Sequence, residues 1–135
     1  MSDAITGGCL CGAVRYSLAK PPKMQVACHC DDCKKQTSSA FSLGAVTPHE
    51  DIAIDGALTE FEVAAESGRP VKRHFCGACG TTIYLDLEPR PDAKILQAGT
   101  LDDASWFRPS INFYTECALD FVAVDESAKN FPRYF

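Results

Sequence analysis

The chain has 135 residues, of which 46% are hydrophobic and 23% charged, and this is the size and composition of one ordinary globular domain. Its formal net charge of −5 argues against a nucleic-acid partner, because a protein that binds duplex DNA or RNA needs a basic face to neutralise phosphates. We therefore expect a single domain over residues 1–135 that does not bind nucleic acid.

The N-terminal segment "MSDAITGGCLCG" lacks the basic start and the apolar run of a secretory signal, and no later stretch is apolar for long enough to cross a membrane. These features predict a cytoplasmic protein without a membrane partner. Thiols stay reduced in the cytoplasm, so the eight cysteines indicate metal binding rather than disulfides. Four disulfides in an exported protein are the alternative.

Short β-like runs recur along the chain, roughly ten residues apart, and several alternate apolar with polar residues. In chain order these runs are Gly12–Leu18, Phe41–Val46, Leu58–Ala64, Val71–Phe75, Thr81–Leu87, Lys94–Gly99 and Phe121–Val124. Good helix formers predict one short helix from Asp31 to about Ser39, after the three-cysteine cluster, and prolines predict loops at Lys20–Lys23 and Glu88–Asp92. The pattern predicts a mostly β domain of antiparallel strands, either a sandwich or an open barrel.

Seven of the eight cysteines fall into three clusters. They are the C-x-C of Cys9 and Cys11, the C-x-C-x-x-C of Cys28, Cys30 and Cys33, and the C-x-x-C of Cys76 and Cys79. Glycines around the first and last clusters allow the tight turns that aim two thiolates at one ion. A closed zinc site takes four ligands, so these two pairs complete one site and leave the three-cysteine cluster with an open corner. Closed sites are typical of structural zinc and open sites of catalytic zinc, so we expect two zinc ions in the chain.

The three-cysteine cluster can direct its thiolates to one point. Cys30 and Cys33 share a face of the predicted helix, and Cys28 precedes that helix at a strand end. The free N–H groups of a helix N-terminus favour negative charge there. The cluster can therefore accept an external fourth ligand such as a thiolate, whose charge Lys34 and Lys35 could offset. Such a site can also lose its metal and oxidise to a disulfide.

Two alternatives stay open for these clusters. The C-x-x-C could be a redox pair, although redox motifs of this kind open a helix and this one lies among strands. The three-cysteine cluster could be a second structural site closed by His29, His74 or Cys117. We expect the ring of His29 to point away from the ion, His74 to support the Cys76 turn from the same strand face, and Cys117 to be a small, partly buried apolar residue. His49 has no partner that the sequence identifies and is expected to be solvated.

The motifs "GGCLCGAVRY", "CHCDDCKKQTSSAF", "HFCGACGTTIY" and "AGTLDD" resemble, in order and spacing, those of the glutathione-dependent formaldehyde-activating enzyme family, which also includes centromere-protein-V-like domains. The resemblance covers about residues 7–121. It implies a small, mostly β zinc domain described as a β-tent. It also implies a structural zinc on the two outer cysteine pairs and a catalytic zinc on the three-cysteine cluster.

The same resemblance implies a carbon–sulfur lyase, in which glutathione and formaldehyde combine to S-hydroxymethylglutathione with the thiol sulfur near the three-thiolate zinc. The chain departs from the family pattern at Ser38, where glycine is common, and at Asn112, where histidine is common. Asp120 and Phe121 stand in place of a frequent Pro-Trp pair, and Phe121 is expected still to pack as an aromatic.

Candidate substrate residues follow the three-cysteine cluster along the helix and could form hydrogen bonds with a peptide-like thiol. They are Lys35, Gln36, Thr37, Ser38 and Ser39. Trp106 and Phe107 either cap a cleft or fill the core, and we favour the core. Arg108 is of the type that pairs with a carboxylate.

Three functional hypotheses follow. The leading one is a zinc-dependent carbon–sulfur lyase-type enzyme that acts on glutathione or a related thiol adduct. The alternatives are a thiol-binding carrier without catalysis and a zinc-stabilised protein-interaction module. The sequence leaves the true substrate and the oligomeric state open.

Overall fold

The computed structural model describes residues 4–65 and 68–134, and over these residues the chain is mostly β with a single short α-helix. The strands are β1 (Ile5–Gly8), β2 (Arg15–Leu18), β3 (Met24–Cys28), β4 (Ser42–Pro48), β5 (Ile52–Asp55), β6 (Thr59–Ala64), β7 (Pro70–Phe75), β8 (Thr82–Leu87), β9 (Ala93–Gln97), β10 (Ile111–Phe113) and β11 (Lys129–Asn130), and the helix is α1 (Asp31–Thr37). Short 3-10 turns lie at His49–Asp51, Ala98–Thr100 and Thr115–Cys117. No helix in the described ranges has the length and apolar character to cross a membrane.

The strands form two sheets. A small sheet has the order β1-β2-β5, and a large sheet has the order β11-β10-β3-β4-β9-β8-β7-β6. Most neighbours are antiparallel, as the sequence predicts, but β10 runs parallel to both β3 and β11. The mostly β prediction with one helix after the three-cysteine cluster is confirmed.

The large sheet has two faces because side chains alternate along each strand. On what we name the front face, Ala45 lies opposite Leu96, and both pack against residues of the small sheet. On the opposite surface, named the back face, Val46 lies opposite Ile95. By the same alternation Cys28 belongs to the back face, since it is four residues after Met24, which is paired with Val46.

Each face of the large sheet has its own buried cluster. The core between the front face and the small sheet includes Val14, Tyr16, Leu18, Ala45, Leu96, Ala98 and Leu101. On the back face Val46, Val71, Leu85, Ala93 and Ile95 form one cluster, and Val26, Ile111 and Phe113 form a second. Phe131 stacks on Phe113 with ring centroids 5.7 Å apart, and the tilted ring of Tyr134 packs against Phe113 at 4.6 Å. The side chain of Cys28 therefore lies beside an aromatic cluster.

Helix α1 starts where the sequence predicts it to start. Cys30 is the N-cap residue, in extended conformation, and its side chain accepts a hydrogen bond from the backbone N–H of Cys33. The helix ends at Thr37, two residues earlier than predicted. Ser38 adopts a left-handed conformation with a φ of 55°, which stops the helix.

Six of the seven predicted strand runs contain a strand, with ends shifted by up to three residues. The seventh prediction, Phe121–Val124, is wrong: this segment has no strand, and Phe121 is 81% exposed rather than packed. Its four consecutive apolar residues are typical of a strand, but no described strand pairs with this segment, and β10 is paired with β3 and β11. The loops at Lys20–Lys23 and Glu88–Asp92 are confirmed.

Candidate metal centres

The structure brings together the thiols of the two outer cysteine pairs. Cys9 and Cys11 follow β1, Cys76 and Cys79 follow β7, and the four sulfur atoms lie within 4.8 Å of one another. The turn after β7 reverses at Gly80, whose φ of 80° is accessible to glycine at little cost. This four-thiol group joins the small sheet to the large sheet.

The spacing of these sulfur atoms suits zinc. The Sγ of Cys11 lies 3.6 Å from that of Cys9 and 3.8 Å from that of Cys76. Zn–S bonds of about 2.3 Å in a tetrahedron place neighbouring sulfurs about 3.8 Å apart. The donor set and its dimensions therefore fit a closed tetrahedral zinc site, and occupancy by zinc stays a prediction.

Hydrogen bonds from the chain favour thiolates in this group. The backbone N–H of Val14 donates to Cys9 Sγ over 3.3 Å and lowers the pKa of that thiol. The hydroxyl of Thr81, 3.3 Å from Cys79 Sγ, lowers the pKa of Cys79 to about 5. At Cys11 the backbone N–H of Ala13 lowers the pKa, but the neighbouring thiols outweigh it and raise the pKa to about 11. The thiols of Cys9 and Cys79 therefore ionise more easily than an ordinary cysteine, and a metal would displace the protons that the other thiols still hold.

A polar cluster around the "AGTLDD" segment holds the small sheet in place. Arg15 Nη1 donates to Asp102 Oδ1 over 3.0 Å, a second Arg15 nitrogen contacts the other carboxylate oxygen, and Thr6 donates to Asp102 over 2.7 Å. Arg15 and then Thr6 lower the pKa of Asp102 to about 2. The hydroxyls of Tyr16 and Thr100 lie 2.6 Å apart. Sequence reasoning assigned no role to these residues, because the partners are more than 80 positions apart in the chain.

The three-thiol group lies on the back face, where β3 leads into α1. Cys28 ends β3, Cys30 caps the helix and Cys33 lies in its first turn, with the three sulfurs within 4.8 Å of one another. Cys28 lies opposite Ser42 on β4. The hydroxyl of Ser42 hydrogen-bonds to Cys33 in the direction that lowers the pKa of that thiol.

One thiol of this group ionises first. Hydrogen bonds from the thiols of Cys28 and Cys33 lower the pKa of Cys30 to about 2, and the backbone N–H of Cys33 acts in the same direction. The pKa of Cys28 is raised, since it hydrogen-bonds to Cys30 and Cys33 and is also buried. For Cys33, the effect of Cys28 is outweighed by Cys30 and by burial, and its pKa is raised to about 12. A metal that took all three as thiolates would release the protons that the group still holds.

Neither His29 nor Cys117 joins the three-thiol group. His29 is 2% exposed, and its Nε2 lies 3.3 Å from Asn112 Oδ1, a residue paired with Ala27 on the front face. The ring therefore points away from the sulfurs, as expected. Cys117 is partly buried and belongs to neither thiol group among the described residues. Among the described residues, therefore, this group consists of three cysteines, and no further cysteine or histidine joins it.

The other two histidines bond to side chains and backbone away from the sulfurs. His74 Nε2 lies 2.9 Å from Asp86 Oδ2, and its ring stacks on Tyr84 at 4.1 Å. His49 is exposed, as expected, but the expectation that it has no partner is wrong. The Nε2 of His49 lies 2.9 Å from the backbone oxygen of Pro91, and its Nδ1 lies 2.7 Å from Lys94 Nζ.

The structure separates the five candidate substrate residues. Lys35, Ser38 and Ser39 are exposed, and the hydroxyl of Thr37 donates to the backbone oxygen of Cys33 over 2.8 Å. Among these five, Gln36 forms a side-chain hydrogen bond with the large sheet: its Nε2 donates to Gln97 Oε1 over 2.9 Å. Gln36 therefore contacts the back face of the large sheet, to which Gln97 belongs because it is paired with Gly44, two residues before Val46.

The two lysines that could offset the charge of a thiolate ligand are directed elsewhere. The ammonium group of Lys34 donates to the backbone oxygen of Cys117 and lies 3.5 Å from Asp31. Lys35 is exposed. Lys34 therefore connects α1 to the 3-10 turn at Thr115–Cys117, a contact that sequence reasoning did not identify.

Trp106 and Phe107 combine both roles considered for them. They pack against the front-face core, and they also line a cavity of about 430 Å³. Arg108 and Asn112 line the same cavity. No cysteine lines it, so it is separate from both thiol groups.

The model of the glutathione-dependent formaldehyde-activating enzyme family matches residues 4–117 of this chain. That range covers most of the chain and includes all the cysteine clusters. The chain belongs to this family. Membership confirms the resemblance seen in the cysteine motifs.

Several proteins are similar to this chain. A Halomonas elongata protein, provisionally named a glutathione-dependent formaldehyde-activating enzyme, is 29% identical over 90% of this chain and 81% of its own length. A Podospora anserina protein with the same provisional name is 24% identical over 88% of this chain, which spans about three fifths (59%) of that protein. A Schizosaccharomyces pombe protein named an uncharacterized lyase is 30% identical over 58% of this chain and 55% of its own length.

A crystal structure of a Rhodobacter sphaeroides protein has the same fold. It aligns with a TM-score of 0.57 at 21% identity and covers 72% of this chain and 87% of that chain. At 21% identity, the structural similarity between the two proteins supports a shared fold and nothing more.

Proposed function

We propose that this protein is a zinc-dependent carbon–sulfur lyase-type enzyme that acts on glutathione or a related thiol adduct such as S-hydroxymethylglutathione. The proposal assigns a structural zinc to Cys9, Cys11, Cys76 and Cys79 and a catalytic zinc to Cys28, Cys30 and Cys33. It also keeps the expectations of a single domain in the cytoplasm. Family membership and the names of the relatives support the glutathione and lyase parts.

The observation that carries the proposal is the three-thiol group with an open fourth position. Its sulfurs lie within 4.8 Å of one another, while the nearest histidine in sequence, His29, bonds to Asn112 on the other face of the sheet. Zinc held by three protein ligands takes its fourth ligand from solvent or substrate. A thiol substrate suits that position, because sulfur is a good ligand for zinc.

The reaction forms one bond and moves one proton. The thiol sulfur bonds to the carbonyl carbon of formaldehyde, the C=O double bond becomes single, and the thiol proton goes to the carbonyl oxygen. When bound to the three thiols, zinc supplies a positive centre that keeps the substrate sulfur as thiolate. The chain itself contributes the thiolates, of which Cys30 is the first to ionise, and Cys28 packs against the aromatic cluster around Phe113.

The test is a titration of reduced protein with glutathione while metal content and metal spectrum are followed. We expect two zinc ions per chain in protein purified under reducing conditions. After cobalt substitution, the thiolate-to-metal absorption of only one ion should change as glutathione binds. NMR exchange spectroscopy should then show faster exchange between free glutathione and its formaldehyde adduct in the presence of enzyme.

A pair of matched variants tests the assignment of the open site. Cys33→Ser should lose one zinc and the exchange activity while keeping the fold, whereas Cys117→Ser should keep both, since Cys117 lies outside the thiol groups. Full activity in Cys33→Ser would refute the catalytic role. Stoichiometric glutathione binding without faster exchange between glutathione and its formaldehyde adduct would indicate a thiol carrier. Two bound metal ions whose absorption does not change on addition of glutathione would indicate a protein-interaction module.

A further inference from the structure

The segment 131–134 passes from the edge of the large sheet towards the three-thiol group. It follows β11 directly, and the backbone N–H of Phe131 donates to the backbone oxygen of Asn112 over 2.9 Å. The backbone N–H and the hydroxyl of Thr115 both donate to the backbone oxygen of Phe131, over 3.0 Å and 3.1 Å. Hydrogen bonds therefore hold this segment against β10 and against the 3-10 turn Thr115–Cys117.

The same turn also holds the helix that carries two of the thiols. The ammonium group of Lys34 on α1 donates to the backbone oxygen of Cys117, and Cys30 and Cys33 lie in the first part of that helix. The turn is preceded by Tyr114, whose φ of 56° is a left-handed conformation that is unfavourable for a bulky residue. Such a conformation persists only where the surrounding contacts enforce it. The turn thus fixes the segment 131–134 relative to the thiols.

Two aromatic side chains of the segment lie beside Cys28. Phe131 and Tyr134 are half-buried against Phe113, with ring centroids 5.7 Å and 4.6 Å from its own, and Phe113 pairs with Cys28 in the register of β10 and β3. Burial raises the pKa of Tyr134, the positive charge of Arg90 lowers it, and the charge of a Cys28 thiolate raises it. The Tyr134 ring is therefore within electrostatic range of the Cys28 sulfur.

The three thiols differ in how far the protein covers them. Cys33 is 8% exposed and hydrogen-bonds with Ser42 of β4, whereas Cys28 and Cys30 are only partly buried. A molecule that reaches a metal on this group must therefore approach from the side of Cys28 and Cys30. The rings of Phe131 and Tyr134 border that side at Cys28.

We infer that the segment 131–134 forms a wall of the thiol site and that Tyr134 is a specificity-determining residue, which selects thiols with an unbranched CH₂ group next to the sulfur over tertiary thiols. The substrate part of this inference rests on the proposed function, whereas the wall does not. A flat peptide group, as in glutathione, packs well on an aromatic ring, but two methyl groups on the carbon beside the sulfur would crowd it. The matched family range ends at residue 117, so family membership does not predict this wall.

The wall is tested by the access of reagents to the thiols, which requires no lyase activity. Protein as purified under reducing conditions is treated with N-ethylmaleimide or with the larger N-(1-pyrenyl)maleimide, and modified cysteines are located by mass spectrometry. Tyr134→Ala should speed the reaction of the larger reagent at residues 28–33 about tenfold, because the ring no longer has to move aside. The smaller reagent should gain no more than about threefold. Cys11, exposed in the four-thiol group, is the internal reference and should react at an unchanged rate.

Two further variants separate the ring from other effects. Tyr134→Phe keeps the ring and should react as wild type does. Phe61→Ala removes an exposed ring from β6, at the opposite edge of the large sheet, and should also leave the rates at residues 28–33 unchanged. The wall is refuted if Tyr134→Ala leaves the ratio of the two reagents unchanged, or if Cys11 accelerates by the same factor, since that would indicate general loosening of the fold.

The selection of thiols is tested by comparing N-acetylcysteine with N-acetylpenicillamine, which carries two methyl groups on the carbon beside the sulfur. In cobalt-substituted protein, the thiolate-to-metal absorption gives both dissociation constants. We expect Tyr134→Ala to reduce the preference for N-acetylcysteine about tenfold relative to wild type and Tyr134→Phe to keep it, so that the intrinsic difference between the two thiols cancels. An equal preference in all three proteins overturns the role of Tyr134. Absence of binding by either thiol refutes the proposed thiol chemistry and the selection with it, while the maleimide rates decide the wall separately.

Discussion

Replacing Cys76 with serine should unfold the protein, whereas the same replacement at Cys33 should leave it folded. Both thiols are buried and both belong to groups that fit a metal, so the difference comes from what each group connects. Cys76 belongs to the group that joins segments 65 residues apart, in two different sheets. Cys33 belongs to a group contained within the short segment from Cys28 to Cys33.

The magnitudes follow from those separations. If each metal group is treated as a cross-link, closing a loop of 65 residues removes about 4 kcal/mol of unfolded-state entropy, and closing one of five residues removes about 2 kcal/mol. Zinc in structural sites contributes about 10–16 kcal/mol of apparent binding free energy to folding, against a net stability of about 5–15 kcal/mol for a domain. Losing a ligand of the four-thiol group therefore removes most of the net stability. For Cys33→Ser we expect the free energy of unfolding to fall by about 1–3 kcal/mol because a buried hydroxyl replaces a thiol. This loss comes on top of the smaller cross-link contribution of the five-residue loop.

The assay is urea denaturation of both variants by circular dichroism, with zinc content measured on the same samples. We expect no cooperative transition and less than one zinc per chain for Cys76→Ser, and a cooperative transition with one zinc for Cys33→Ser. Cys117→Ser serves as the control for the chemical change alone. A soluble Cys76→Ser protein that unfolds cooperatively near the wild-type midpoint would falsify the structural role of the four-thiol group.

Three further predictions concern the surrounding fold. Ser38→Gly should raise the free energy of unfolding by about 0.5–1 kcal/mol, measured in urea, because Ser38 holds a φ of 55° that glycine adopts without strain; an unchanged midpoint would contradict this. Gly7→Ala should lower it by about 1–3 kcal/mol, since a Cβ there would lie 2.3 Å from the Tyr16 hydroxyl; a thermal midpoint equal to wild type would be the contrary result. The Asp102 carboxyl has a folded-state pKa of about 2, lowered by Arg15, so its stabilisation is complete above the unfolded pKa near 4 and is lost as the pH falls towards 2. Urea titrations between pH 5 and about 2.5 should therefore show a smaller loss of stability for Asp102→Asn than for wild type, and parallel curves would refute this.

Local spacing accounts for the features that sequence reasoning predicted correctly. A C-x-x-C among glycines and a C-x-C-x-x-C before helix formers place their thiols within a few residues, so the geometry depends little on the rest of the chain. The start of α1 follows for the same reason, since the N-cap contact at Cys30 spans three residues. The end of α1 was predicted too late because the left-handed conformation of Ser38 is not visible in its residue type.

Features that depend on register and on sheet order could not be read from the sequence. The segment Phe121–Val124 is a run of four apolar residues that is typical of a strand, yet it pairs with no described strand and Phe121 is exposed. The ion pair of Arg15 with Asp102 and the hydrogen bond of His29 with Asn112 join residues more than 80 positions apart. No local pattern specifies such partners.

The sequence by itself determined which thiols belong to which short motif, and simple counting of ligands predicted one closed and one open group. The tertiary structure decided that two motifs far apart in the chain meet at one point and that the side chain of Cys28 projects to the back face. It also decided that His29 closes neither group and instead lines a separate cavity. The physical reason is the alternation of side chains along a strand: Cys28 and His29 are neighbours in sequence, but the sheet places them on opposite faces.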